Sequence, residues 1–407
     1  MRAPSRVLLL AAVVGPGVLA GLSDDDAAGI TTYSILGTDY GYQLLWVLLL
    51  STGALVLFHE LGLRVGVVTG QGLAGLIRER FGVRIGLAAL AALVIANLGT
   101  TAAEFAGVAA SLELAGVSRY ASVPLAALGV SYFILRGGFR GIEHILLALS
   151  TILAAYILAG ILAHPDWRAA GRGLVVPTLP LDRDALVIAT ATIGTTLAPW
   201  GLAFIQSYAV DKRLLPRQLP YARAEVMIGS VLTGVIGLFI VVACAATLNE
   251  QGSSIDDAAD AAAALEPLAG GLASLLFGAG LLGASLLAAS ILPLATAYSV
   301  AEALGSEAAL DDPVPEARLF YGTYAAVVAV GAAIVLLPGA PLVPILVLSQ
   351  VLNAILLLPL MWFMVRIVRD RDVMGDNASG RLHSALCFAA TALVALSVAA
   401  LALLTFI

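Results

Sequence analysis

The sequence predicts an all-α membrane protein: eleven transmembrane helices arranged as two five-helix repeats with one helix left over. Three observations predict it: a surplus of apolar residues, apolar runs of helical length, and a one-sided distribution of basic residues. Of the 407 residues, 60% are hydrophobic and 12% charged, where a soluble globular chain carries roughly a quarter charged residues. That surplus needs lipid as its solvent. Backbone groups in lipid must be satisfied internally, which leaves helix bundles and closed barrels. Runs such as 44–58 and 330–337 are unbroken. They lack the alternation of a barrel strand, so the bundle is the reading.

A helix crosses the bilayer core in about 20 residues. On that measure the first span covers 7–37 and is interrupted near 23–29. The next four fall at 43–63, 85–114, 120–135 and 142–163, with a short amphipathic link at 73–80. The sixth, 185–213, is interrupted again, and 224–248, 268–300, 318–337, 342–365 and 383–406 follow. The Ala-rich segment 257–264 reads as the start of an external helix, and the Gly-rich stretch 278–283 as small-residue helix contact. Residues 1–6 are basic, 7–22 apolar, and Val18-Leu19-Ala20 loosely resembles a cleavage site. The segment nevertheless carries Gly15-Pro16-Gly17 and flows into further helix, which favours a membrane span over a signal peptide.

Basic residues set the orientation. With the N-terminus inside, only Arg119, Arg168, Arg172 and Arg183 of the 21 Lys and Arg residues fall outside. The expectation is a multi-pass protein of the plasma membrane, with a cytoplasmic N-terminus and an extracytoplasmic C-terminus. The chain reads as one transmembrane domain, 1–407: repeat one about 7–163, repeat two about 185–365, and an extra helix 383–406. Five spans followed by five more place equivalent helices in opposite orientations. Both interrupted spans lead their repeats, the layout in which cargo binds at the midplane between two unwound helices.

The first interruption reads Ser23-Asp24-Asp25-Asp26-Ala27-Ala28-Gly29. Carboxylates inside a membrane segment are costly and mark ion paths. A hydrated external loop is the plainer reading, but 7–22 is too short to cross alone and Ile30 to Leu36 is largely apolar again. The second reads Thr195-Thr196-Leu197-Ala198-Pro199-Trp200-Gly201. Its Pro removes a donor and frees upstream carbonyls. A plain proline kink is the alternative, and the pairing with the first interruption weighs against it. Carbonyls freed at the two breaks, beside the acids of the first, suit a cavity that takes a cation.

Gly15-Pro16-Gly17, Asp26-Ala27-Ala28-Gly29, Tyr40-Gly41-Tyr42, Leu44-Leu45-Trp46 and Arg64-Val65-Gly66-Val67-Val68-Thr69-Gly70 resemble the Nramp metal-ion transporters. The resemblance implies a LeuT-like fold and a divalent cation as cargo. It also implies Asp26 as the primary metal ligand, with the carbonyls of Ser23 and Thr195 as secondary ligands, direct or through water. The family's first-helix motif Asp-Pro-Gly-Asn is Asp26-Ala27-Ala28-Gly29 here, so Gly29 stands where the family has its asparagine ligand. Its sixth-helix motif Met-Pro-His-Asn is Ala198-Pro199-Trp200-Gly201 here. Ala198 thus replaces a soft thioether, and Trp200 a histidine. Oxygen ligands suit Mg²⁺ and Mn²⁺, while soft ligands favour other transition metals. Mg²⁺ often keeps several waters and needs the room. The pattern is similar to the Nramp-related magnesium transporter branch.

The family's third-helix acidic pair aligns with Glu104-Phe105-Ala106-Gly107, leaving Glu104 as the one acid. Read structurally, Glu104 partners a neighbour such as Asn97 or Thr101. With no relay histidine, transport without proton coupling is expected. Gln350 matches a tenth-helix glutamine that the family brings to the ion; interhelical hydrogen bonding is the other reading of Ser349, Gln350 and Asn353. Asp24, Asp25, Glu104, Trp200 and Asn353 complete the candidate ion path. Tyr298, Ser299 and Glu302 are candidates for a capping or gating role.

Cys244 and Cys387 lie in apolar runs and read as small buried hydrophobes. His59-Glu60 does not begin a zinc-protease motif, because Leu63 occupies the second histidine position. His144, His164 and His383 sit near span ends. The net charge of −6 argues against nucleic acid as a partner. Neither a cofactor nor a protein partner is expected; the partners are the lipid bilayer and the transported Mg²⁺ or Mn²⁺. Three other functions compete: a proton-coupled Mn²⁺/Fe²⁺ transporter, a LeuT-fold carrier of organic solutes, and an intramembrane enzyme. The missing Met and His weigh against the first, three aspartates that repel a carboxylate cargo against the second, and the lack of a nucleophile–base pair against the third.

Overall fold

A computed structural model describes residues 25–150, 154–180, 182–256, 258–262, 270, 273–306 and 314–406. Every regular element among them is helical. The first described helix, α1 (Ala27–Tyr40), is the second half of the expected first span. It stops at Gly41, whose φ of +56° suits a residue without Cβ and whose N–H returns to Gly37 O at 3.0 Å. Then come α2 (Leu45–Thr69), the amphipathic link α3 (Leu73–Phe81) and α4 (Val83–Glu113).

Next is α5 (Arg119–Ser150). This helix runs on through 136–141, where the sequence places a link between two spans. No Pro stands at that link, and a Gly costs a helix only about 1 kcal/mol, so the hydrogen-bond ladder continues. α6 (Ala154–Leu162) and α7 (Trp167–Val175) close the first half.

The second half opens with α8 (Arg183–Thr196) and α9 (Pro199–Asp211), one span broken at Leu197 and Ala198. α10 (Leu219–Cys244) ends in a π-helical turn, Ala245–Asn249. Asn249 Nδ2 in that turn donates to Thr38 O at 2.7 Å and so fixes the end of α1. After the short α11 (Ala258–Ala262) come α12 (Ala273–Leu304), α13 (Arg318–Val335) and α14 (Leu342–Arg369). α15 (Arg371–Met374) and α16 (Arg381–Phe406) end the chain.

Among the described residues eight helical segments are long and apolar enough to cross a membrane, the broken Arg183–Asp211 among them. The most apolar stretch of that broken segment is 94% buried, against 11% for Arg381–Thr405. The broken helix is therefore the axis of the bundle, and the last helix lies at its rim. Small residues let the inner helices close on one another. Gly66 lies against Gln206 O, and Gly194 against Gln350 O, so closely that a Cβ at either would overlap the facing carbonyl. Gly278 packs on Leu114 and the carbonyl of Ser111, the small-residue contact expected of 278–283.

At the arginine-rich end, the Glu60 carboxylate forms ion pairs with Arg64 at 3.1 Å and Arg223 at 2.7 Å, with His383 Nε2 at 3.8 Å. This one carboxylate ties α2, α10 and α16 together. His59 is buried, its Nδ1 3.2 Å from Ser230 Oγ, a helix-to-helix contact rather than a metal site. Both cysteines are buried thiols.

Candidate functional site

Asp26 sets the start of α1. Its backbone is extended (φ −74°, ψ 175°), and its Oδ1 accepts from the Gly29 N–H at 2.6 Å. This is an N-cap, which satisfies one of the orphan donors at a helix start. Glu104 of α4 reaches the same place: its Oε2 accepts from the Ala27 N–H at 3.3 Å. The two carboxyl groups flank one helix N-terminus, whose positive end favours anions. Close packing brings them together, since Gly107 lies against the Ala27 side chain with no room for a Cβ. Glu104 thus pairs with the backbone of α1, not with Asn97 or Thr101, the neighbours that the sequence nominates.

Asp25, Asp26 and Glu104 are 0%, 1% and 0% exposed. Both oxygens of Asp25, Oδ2 of Asp26 and Oε1 of Glu104 have no hydrogen-bond partner. Burying carboxylate oxygens unpaired is expensive. A cation among them relieves that cost. Ser23 and Asp24 lie outside the described residues. Gly29 contributes its N–H to Asp26 and offers no side-chain ligand.

The second break lies where α8 ends. The carbonyl of Thr195 would accept from the residue four positions on in an unbroken helix, and that residue is Pro199, which has no N–H. Leu197 (φ −114°, ψ 57°) and Ala198 (φ −66°, ψ 135°) leave the helix, and Pro199 restarts it at the first helical position. Thr195 Oγ1 and Trp200 Nε1 are buried without partners, and Ala198 is 2% exposed. Tyr33 of α1 and Thr196 share a hydrogen bond of 2.9 Å between hydroxyls, which joins α1 directly to the end of α8.

Gln350 reaches the second break through its backbone, against Gly194. Its amide is engaged elsewhere. Nε2 donates to Ser349 Oγ at 3.0 Å, and Oε1 accepts from Asn353 Nδ2 at 2.9 Å. Asn353 in turn bonds Thr100 Oγ1 of α4, and Asn97 donates to Thr296 Oγ1 at 2.8 Å. Gln350 and Asn353 therefore take part in the interhelical network that the sequence offers as one of two readings. A ligand role for Gln350 needs its amide to turn out of that network.

Sequence reasoning missed Tyr33 and Thr196 at the centre, and Gln206 and Ser207 on α9. Each is a neutral polar residue in an apolar helix, a faint signal that only a partner makes legible. Among the described residues no cluster of three or more His, Cys, Asp or Glu side chains has metal-binding geometry. The donors at the two helix ends are carboxylates, a hydroxyl and a freed carbonyl, oxygen groups of the kind that Mg²⁺ and Mn²⁺ accept.

Comparison with known proteins gives the following. The family profile described as "Natural resistance-associated macrophage protein-like" (Nramp) matches residues 17–404. A divalent metal cation transporter MntH of Burkholderia ambifaria is 34% identical over 66% of this chain and 63% of its own length. The chain thus spans less than two thirds of that relative. Another MntH, from Ralstonia nicotianae, is 31% identical over 94% of this chain and 88% of its own. In fold, the chain resembles the crystal structure of an Eremococcus coleocola manganese transporter in complex with an aromatic bis-isothiourea substituted compound. The TM-score is 0.78 at 20% identity, covering 98% of this chain and 87% of that one.

Proposed function

The chain belongs to the Nramp family, and from that premise we propose that it carries divalent metal cations across the plasma membrane by alternating access. Its cargo is Mn²⁺ and Mg²⁺, and it moves without protons. The family is one of transporters, not enzymes, and its fold is LeuT-like. The two MntH relatives are named as divalent metal cation transporters, which supports the class of cargo. The breadth of cargo is argued from this chain's own residues.

One observation carries the reading. Asp26 is buried at a helix start with one carboxylate oxygen unpaired, and α1 is joined through Tyr33 and Thr196 to the end of α8, where Pro199 frees a carbonyl. Asp26, the carbonyls of Ser23 and Thr195, and Gln350 after a turn of its amide are the proposed ligands. Ala198 and Gly29 leave room for waters that a Mg²⁺ ion retains. Asp24, Asp25, Glu104, Trp200 and Asn353 line the proposed path. The basic end, with Arg78, Arg80, Lys212 and Arg213, faces the cytoplasm.

Flux into proteoliposomes tests this. Mn²⁺ and Mg²⁺ should enter and compete with each other, while alanine should not enter. Exclusion of Mg²⁺ at concentrations that saturate Mn²⁺ entry would reject the wider cargo. Entry of the amino acid alone would reject the whole reading. A second reading, proton-coupled transport, is favoured by a single observation: Glu104 stands beside Asp26 with an unpaired oxygen.

A further inference from the structure

The cytoplasmic half of the broken span, α9, is held at its far end by contacts that the central site does not use. Ser207 Oγ donates to Glu302 Oε1 of α12 at 2.6 Å. One turn further, Tyr298 OH donates to Asp211 Oδ2 at 3.1 Å. Ser207 and Asp211 are four residues apart on α9, and Tyr298 and Glu302 four apart on α12. The contacts are thus two rungs of one seam. On its other side, Gln206 Nε2 donates to Gln71 O at 3.0 Å. Arg78 Nη1 donates to Ala303 O at 2.6 Å, which anchors the link α3 to the end of α12.

Glu302 sits where these meet. A Cβ on Gly72 would overlap its carboxylate, so the group fills the space that a glycine leaves. Its second oxygen is buried without a hydrogen-bond partner. A carboxylate in such a position spans three elements at once: α9, α12 and the turn before α3. Helix α9 begins at Pro199, directly after the unwound Leu197 and Ala198. Ser207 lies eight residues on, about 12 Å along the axis. An ion released from the break toward the basic end would travel along α9, and the seam is what holds α9 to its neighbours there.

We propose that Glu302 is a positioning residue that keeps the cytoplasmic exit of the ion path shut by latching Ser207, and that the latch must break for release. The inference rests on the transport reading above and goes beyond it, because Glu302 does not touch the ion. It acts on the population of the closed state, which sets how readily the central site faces outward.

The test uses the full chain in membrane vesicles with a membrane-impermeant thiol reagent. Cys244 and Cys387 are buried, and their labelling in the parent is the baseline. Ala203→Cys places a reporter one turn above Ser207, at a position 1% exposed. With the latch intact, the reporter should label slowly from the basic face. Adding Glu302→Ala, or Ser207→Ala, should raise the rate about tenfold, a population shift of about 1.4 kcal/mol. Gly72→Ala, which displaces the carboxylate, should do the same. Glu302→Gln keeps an oxygen that accepts from Ser207 and should restore slow labelling.

A second reporter, Thr38→Cys at the opposite end of the bundle, should label no faster in any of them. Unchanged labelling at Ala203→Cys in monodisperse latch variants overturns the proposal. So does a rise from both faces, which marks general loosening of the fold. If Glu302→Ala does not fold, Ser207→Ala decides the matter alone. Labelling needs no cargo, so a chain that labels as expected but carries no Mn²⁺ rejects the transport reading and leaves the latch standing.

Discussion

At Asp26 one carboxylate has two tasks. Oδ1 caps α1, and Oδ2 is left buried and unpaired. Losing an N-cap costs about 1 kcal/mol, which a bundle of this size can absorb; losing the carboxylate proposed as the primary ligand should be decisive for binding. Asp26→Ala should therefore yield monodisperse protein with Mn²⁺ uptake at background, and wild-type uptake by that variant would remove Asp26 from the ligand set. Ala198 is a prediction of the opposite kind. Met at this position restores a soft donor and fills space. Ala198→Met should weaken Mg²⁺ transport several-fold while Mn²⁺ or Cd²⁺ transport holds or improves, read by competition in proteoliposomes. Equal competition by Mg²⁺ in the variant and the parent would show that the thioether does not decide selectivity.

Among the elements, the two halves of the broken span are secured differently. α8 is locked by packing: Gly194 rests on the carbonyl of Gln350, and Tyr33 holds Thr196. α9 packs on Gly66 as well, and its far end adds polar contacts through Gln206, Ser207 and Asp211, which can exchange partners without opening a void. The far end of α9 is therefore the part of the span suited to move. Gly194→Leu pushes a side chain into backbone that cannot yield. Overpacking of this kind costs about 1–3 kcal/mol, so the thermal midpoint in detergent should fall by several degrees, with expression reduced. An unchanged midpoint would mean that α8 and α14 separate more easily than their contact implies.

Over the whole molecule, charge is concentrated in a few places. Glu60 joins α2 to α10 at the basic end through its ion pair with Arg223 at 2.7 Å and pairs with Arg64 on its own helix. Removing one partner of a buried pair costs about 3–5 kcal/mol. Arg223 keeps 37% of its side chain in solvent, which lowers that to about 2 kcal/mol. Glu60→Ala should destabilise the protein by that amount, measured by thermal unfolding, and Glu60→Gln by less. The proposed absence of proton coupling is also a property of the whole cycle. None of His59, His144, His164 and His383 lies at either break, and histidine is the side chain that most readily changes charge near neutral pH. A pH-sensitive dye trapped in proteoliposomes, with the membrane potential clamped, should report no Mn²⁺-dependent acidification. Acidification abolished by Glu104→Gln would establish the coupled reading instead.

The sequence by itself determined the membrane class, the helical architecture, the break before Pro199 and the aspartate at which α1 starts. These follow from local chemistry: an apolar surplus that only lipid can solvate, Pro199 that cannot donate, and Asp26 followed by residues that let a helix start. It also pointed to Glu104, Gln350 and Asn353 as buried polar groups, because such residues are conspicuous in apolar helices. Tertiary structure alone decided what they do. Glu104 bonds the backbone of α1, 77 residues away, and Gln350 turns its amide to Asn353. Glu302 finds Ser207 across 95 residues. Partners at such separations are chosen by how helices pack, and no periodicity within a helix encodes which face of a distant neighbour it will meet.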